Sequence, residues 1–280
     1  MATRLAAIDY AAPGADARFV ASLRETGFGV LRNHPLDAAL VDRIYAGWTR
    51  FFASEEKRAF HYERTIQGGW FPPDVSETAK GHTLKDLKEY FHYYGDGRCP
   101  EALRADLQHY FEEAQALAAR LLGWVEAHSP EAVSAGYSEP LSRMIDGSRK
   151  TLLRILHYPT LTGRESPGAI RAAAHEDINL LTILPAASSP GLQVLGRDGR
   201  WLDVPCDFGN LIVNVGDMLQ EATGGWLPST THRVVNPADA GEGARMSLPL
   251  FLHPRPEVVL SERYTAASYL QERLEELGVA

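Results

Sequence analysis

The sequence predicts a mixed α and β fold: a jelly-roll or sandwich of short strands, preceded by a helical region and closed by one helix. Two observations predict it. Before Lys150 apolar residues recur mainly at helical spacing, whereas after it short apolar runs alternate with Gly, Pro and Asp turns. A third concerns size, since 280 residues can bury one sizeable core. Hence the chain reads as one functional unit with a mixed N-terminal region at 1–149, a β core at 150–255 and a C-terminal helix at 256–280.

In order, LAAID (5–9) suits a strand. Asp16 is a candidate cap for a helix through Glu25, with Phe19, Val20 and Leu23 on one side and Gly27 as its stop. FGVLRNH (28–34) reads as a strand, and Leu40, Val41, Ile44, Tyr45 and Trp48 mark a helix from Asp37 to Phe52. KEYFHYYG (88–95) is a strand dense in aromatics. Residues 101–128 carry an unbroken apolar stripe between Pro100 and Pro130, the strongest helix in the chain. A shorter helix is expected near 138–146.

Downstream, TLLRILHYP, NLLTILP, GLQVL, WLDVP, NLIVNVGD, THRVV and MSLPLFLH are candidate strands, with RDGR (197–200) as a hairpin turn. A last helix is expected from about Thr265 to Leu277.

The chemistry concentrates in AAAHEDINLLTIL (172–184). As a strand it would point His175 and Asp177 to the same face, and PSTTHRVV supplies His232 as a third donor. Two imidazoles and one carboxylate can hold a metal on one side and leave positions open, the set that suits non-haem Fe(II). A lone histidine is more often a hydrogen-bonded core or surface residue, so the neighbouring features carry the weight. In ARMSLPLF, alternation puts Arg245, Ser247 and Phe251 on one face and Met246, Leu248, Leu250 and Leu252 on the other. An arginine fork with a hydroxyl is suited to a carboxylate. In TLLRILHYP, Arg154, Leu156 and Tyr158 share a face, and Tyr158 is either a donor to the same acid or a structural aromatic. The long interval between Asp177 and His232 suggests ligands from opposite ends of a barrel. KEYFHYYG, His157, Trp226, Phe251 and His253 are candidate pocket walls, and Gln220 and Glu221 lie on the loop before His232.

A formal net charge of -8 without a basic run argues against nucleic acid and anionic membrane as partners. Cys99 and Cys206 stand far apart in no paired motif, so a reducing cytoplasm is the default. The first residues lack the apolar length of a secretory signal, and no apolar run approaches a membrane span.

The ordered set His175-Glu176-Asp177, His232-Arg233-Val234, Arg245-Met246-Ser247 and Tyr158-Pro159 resembles the 2-oxoglutarate and Fe(II)-dependent oxygenase superfamily, in particular the branch around isopenicillin N synthase. The resemblance implies a distorted double-stranded β-helix, with His175, Asp177 and His232 as iron ligands. It also implies Arg245 and Ser247 on the distal carboxylate of 2-oxoglutarate, and Tyr158 at the cosubstrate. Where relatives often carry asparagine, this chain has Leu156. The implied reaction is dioxygen-dependent oxidation, by default hydroxylation, of a small polar metabolite such as an amino acid or natural-product intermediate, with release of succinate and CO2. A cosubstrate-free oxidase like isopenicillin N synthase and a non-catalytic iron or 2-oxoglutarate sensor are the competing expectations.

Overall fold

The computed structural model describes residues 5–63, 65–75, 84–237 and 243–276. The first half runs β1 (Ala7–Asp9), α1 (Ala15–Thr26), β2 (Phe28–Arg32), α2 (Ala38–Ala53), β3 (Gly69–Phe71), β4 (Glu89–Tyr93), α3 (Glu101–His128) and the single turn α4 (Glu131–Ser134). The second half runs β5 (Leu152–Tyr158), β6 (Ala172–His175), β7 (Leu181–Pro185), β8 (Leu192–Leu195), β9 (Trp201–Asp203) and β10 (Leu211–Val215). It ends with α5 (Asp217–Ala222), β11 (His232–Val234), β12 (Arg245–Ser247), β13 (Leu250–Leu252) and α6 (Ala266–Glu276).

The strands form two sheets. A nine-stranded sheet has the order β1-β2-β10-β7-β13-β5-β4-β3, with β12 also paired to β5, and a four-stranded sheet has the order β6-β11-β8-β9. Strands from both halves of the chain thus share the large sheet. Its outer face carries Leu31, Phe91, Leu153, Ile155, Ile183, Val213 and Leu250, which pack in one core with the buried sides of α1, α2 and α3. The stripe of α3, from Leu107 through Val125, lies wholly inside this core, and each such leucine contributes roughly 1.5–3 kcal/mol of burial. The inner face meets the small sheet through two lesser clusters, Phe28, Val30 and Ile212 with Val194, and Tyr90, Leu156 and Tyr158 with Ala172 and Val234. This closed double layer is the jelly-roll the strand spacing predicts.

Several local expectations change. Asp16 does not cap α1: Gly14, at φ 70°, occupies that position without a side-chain bond. Asp16 lies instead in the first turn, where a carboxylate suits the helix dipole, and it accepts from His128 Nε2 at 2.9 Å. The stop at Gly27 holds, with φ 73° and its N–H on Leu23 O. The helix expected at 138–146 is reduced to a single 3-10 turn at Leu141–Arg143, because Pro140 can donate no amide to a preceding turn. MSLPLFLH breaks at Pro249 into β12 and β13, and the freed Pro249 carbonyl accepts the Arg154 N–H at 3.0 Å. Gln220 and Glu221, expected on a loop before His232, lie instead in α5, which starts after Gly216. The final helix is described to Glu276, and Leu277 lies outside the described residues.

Candidate metal and cosubstrate site

The run 172–184 is not one strand. His175 ends β6 in the small sheet, β7 starts at Leu181 in the large sheet, and Asp177 sits in the crossing between them. Alternation along one strand therefore does not orient Asp177. The orientation comes from α5, whose Asp217 N–H donates to Asp177 O at 2.7 Å and whose Met218 N–H donates to Ile178 O at 3.1 Å. Gly216 makes this approach possible: a Cβ there would stand 2.2 Å from Asn179 O.

His232 begins β11 and is the direct antiparallel partner of His175, so the two imidazoles come from neighbouring strands and not from opposite barrel ends. Their ring centroids are 4.4 Å apart. Asp177 Oδ1 lies 3.9 Å from His175 Nε2 and 3.7 Å from His232 Nε2. All three donor atoms fall within 4.8 Å of one another, with room for one cation between them.

Each ligand candidate is fixed from behind. His175 Nδ1 donates to Ala173 O at 2.7 Å and His232 Nδ1 to Thr230 O at 3.1 Å. With the proton on Nδ1, both Nε2 lone pairs face the cluster. Asp177 Oδ2 accepts from Thr182 Oγ1 at 2.5 Å and Asn214 Nδ2 at 2.8 Å, leaving Oδ1 for the cation. Thr182 and Asn214 are themselves cross-strand partners on β7 and β10. Behind His175, Asp86 Oδ1 accepts the Ala173 N–H at 2.9 Å, while its Oδ2 pairs with Lys88 Nζ at 2.9 Å.

The protonation states suit a metal. Burial, with the His232 ring alongside, pushes the His175 imidazole down to about 4 against the pull of Asp177. For Asp177 burial acts upward, but the two imidazoles with Thr182 and Asn214 outweigh it and hold the carboxyl below its ordinary range. A neutral His175 nitrogen and an ionised Asp177 are thus presented near neutral pH without a proton to displace. The His175 side chain is 39% exposed, against 6% for Asp177 and 9% for His232, so the cluster opens on that side.

Arg245 and Ser247 pair across the ladder with Tyr158 and Leu156 on the inner face. Arg245 is 2% exposed. Its Nε donates to Ser189 O at 3.0 Å, its Cζ stands 5.1 Å from the Tyr158 ring centre, and its buried Nη1 has no acceptor among the described residues. A buried guanidinium N–H left unmatched is costly, and an incoming carboxylate would match it. Tyr158 presents its ring to this arginine. Among the other candidates, His157 faces away from the cavity, bonded to Glu89 at 2.8 Å and stacked on Phe52. Trp226 packs on the outer core near Arg24, and Gln220 accepts the Ser229 N–H. Phe251 pairs with Thr182 beside the cluster. The aromatic strand turns Tyr90 and His92 inward, opposite Leu156 and Arg154, and turns Glu89 outward to Lys57, Trp70 and His157. Sequence reasoning missed Thr182, Asn214 and Asp86. The signal available for the first two was a polar residue interrupting each of two apolar strands.

Known proteins resemble this chain along most of its length. The family model of the 2OG-Fe(II) oxygenase superfamily matches residues 150–254, and that of the non-haem dioxygenase in morphine synthesis N-terminal region matches residues 8–110. A crystal structure of a Shewanella oneidensis protein, provisionally assigned as an oxygenase, is 58% identical. The match covers 99% of this chain and 100% of that one, with a TM-score of 0.90. Proline hydroxylase buaE of Petromyces alliaceus is 29% identical over 88% of this chain and 85% of its own length. Feruloyl CoA ortho-hydroxylase 2 of Arabidopsis thaliana is 27% identical over 84% of this chain and 65% of its own length.

Proposed function

This chain belongs to the 2OG-Fe(II) oxygenase superfamily and is an Fe(II)- and 2-oxoglutarate-dependent dioxygenase, and we propose that His175, Asp177 and His232 hold its iron. Arg245, with Ser247, takes the distal carboxylate of 2-oxoglutarate, and Tyr158 backs that arginine. The observation that carries the assignment is the convergence of three donor atoms within 4.8 Å, on residues whose other polar atoms are already bonded. Bound iron and cosubstrate supply the oxidising chemistry, coupling dioxygen use and decarboxylation to succinate with hydroxylation of a substrate carbon.

The chain's own residues position and exclude. The Nδ1 bonds set both imidazole planes, and Thr182 and Asn214 keep Asp177 from turning away or chelating through both oxygens. The Arg245 N–H, unmatched among the described residues, is left to donate to the bound acid. The apolar wall of Tyr90, Leu156, Ala172 and Val234 keeps bulk water from the cosubstrate.

The prime substrate is a small polar metabolite such as an amino acid or natural-product intermediate, a reading supported by the hydroxylase names of the relatives. Placement in the isopenicillin N synthase-like branch is supported by the match of residues 8–110 to a dioxygenase N-terminal model. A reducing cytoplasm fits two free cysteines, and no described helix is long and apolar enough to cross a membrane. The test is iron-dependent release of succinate from 2-oxoglutarate. Asp177→Ala is expected to abolish both this release and tight Fe(II) binding; retention of either overturns the ligand assignment.

A further inference from the structure

His253 is a polar side chain beside the metal cluster that neither the ligand set nor the grip on the cosubstrate uses. It directly follows β13, whose Leu250 and Leu252 are buried in the outer core. Alternation then turns Phe251 and His253 to the inner face. Phe251 pairs with Thr182, whose hydroxyl holds Asp177, and the Leu252 carbonyl accepts the Leu180 N–H at 2.9 Å. His253 thus stands just past the strand next to the one that backs the carboxylate, close enough for the Asp177 charge to act on it. Phe251 also pairs with Leu152, whereas Arg245 pairs with Tyr158, six residues further along β5. Six strand residues span about 20 Å. A diacid reaching from the cluster to Arg245 therefore runs away from His253, whose side of the cluster is left for the prime substrate.

The ring is set in the same way as the two ligand imidazoles. His253 Nδ1 donates to the carbonyl two residues back, Phe251 O at 3.3 Å, as His175 and His232 do to Ala173 and Thr230. That bond keeps the proton on Nδ1 and leaves the Nε2 lone pair facing forward. Yet His253 does not join the three converging donors. Its Nε2 bonds to no described residue and is not sealed from solvent. Burial pushes this imidazole down to about 4, helped by Lys150 and Arg154 and opposed by the Phe251 bond and Asp177. The ring is therefore a neutral acceptor. The same two cations disfavour a positive charge on a group placed beside it. An uncharged donor, a hydroxyl or an amide N–H, suits the position. Phe251, half-buried on the same face, offers apolar ring surface to the body of such a molecule.

We infer that His253 selects the prime substrate, accepting a hydrogen bond from an uncharged O–H or N–H group on a molecule whose apolar body lies against Phe251 beside the metal. The assignment rests on the metal and cosubstrate positions given under Proposed function.

The test uses full-length protein loaded with Mn(II) and 2-oxoglutarate, an unreactive complex whose paramagnetic ion speeds the NMR relaxation of protons bound close to it. The probes are matched donors and their methylated partners: 4-ethylphenol and 4-ethylanisole, benzyl alcohol and benzyl methyl ether, acetanilide and N-methylacetanilide. Titrations read by this relaxation are expected to show donors binding roughly three- to tenfold more tightly, as one neutral hydrogen bond predicts. His253→Phe keeps a ring and removes the acceptor, and should erase the preference; His253→Leu serves as a second variant without an acceptor. His253→Gln returns an acceptor near the Nε2 position and should keep much of the preference. Four results would each overturn the proposal: methylated partners binding as tightly as donors, a preference that survives loss of the acceptor, a glutamine variant no better than the phenylalanine one, or no relaxation enhancement of any probe. Failure of the underlying assignment shows separately, as no melting shift from Mn(II) or 2-oxoglutarate alone in the unaltered protein.

Discussion

Thr182→Val isolates what the residues behind the His175, Asp177 and His232 cluster contribute. Valine keeps the shape of threonine and removes the hydroxyl that donates to Asp177 Oδ2 at 2.5 Å. Both residues are buried, with Thr182 at 2% and Asp177 at 7% exposure, so water does not replace the lost donor. A hydrogen bond to a charged acceptor contributes about 1.5–3 kcal/mol. Asn214 Nδ2, at 2.8 Å, remains as the single brake on carboxylate rotation. Loss of such outer partners typically weakens metal binding 10- to 100-fold, and 1.4 kcal/mol per tenfold puts the two estimates on the same scale. The variant should therefore fold and bind Mn(II) or Co(II) about 10- to 100-fold more weakly in a competitive chelator titration. Removing a donor that favours the ionised form also raises the Asp177 pKa, so the onset of metal binding should move to higher pH. A folded Thr182→Val whose metal affinity stays within twofold of the parent refutes the idea that this bond orients Asp177.

Gly216→Ala places a Cβ within 2.2 Å of Asn179 O, so backbone must move; a loss of roughly 1–3 kcal/mol in denaturant unfolding, together with weaker metal binding, is expected. Asp86→Asn withdraws the charge that Lys88 meets at 2.9 Å in a buried pair; breaking such a pair costs about 3–5 kcal/mol, and Asp86→Asn combined with Lys88→Met should recover much of the lost melting temperature. Metal-free protein should lose stability as pH falls from about 6.5 towards 4, because burial lowers both His253 and His175 to about 4 and the unfolded chain takes protons the folded one refuses. For His253 the slope approaches 1.4 kcal/mol per pH unit, with a smaller share from the more open His175; a urea midpoint flat across that window contradicts the assignment.

Much of the fold and donor chemistry was legible in the residues themselves. Helix periodicity is local, which is why 101–128 reads correctly to the residue at both ends and Gly27 marks the stop of α1. Donor types are chemical facts of the chain, so His175, Asp177, His232, Arg245 and Ser247 could be nominated without coordinates. The proposals about their roles rest on contacts that the sequence does not contain.

Partition of strands between sheets belongs to pairing between distant segments, and no periodicity within 172–184 reveals that its first four residues join β11 while its later ones join β10. The same non-local pairing turned Tyr90, His92 and Arg154 inward and His157 outward, and it set Thr182 against Asn214 behind Asp177. Composition and spacing determined which atoms this protein has to offer a metal and an acid. The register of two sheets decided which of them meet, because a cross-strand neighbour is chosen by hydrogen bonds between chain segments tens of residues apart.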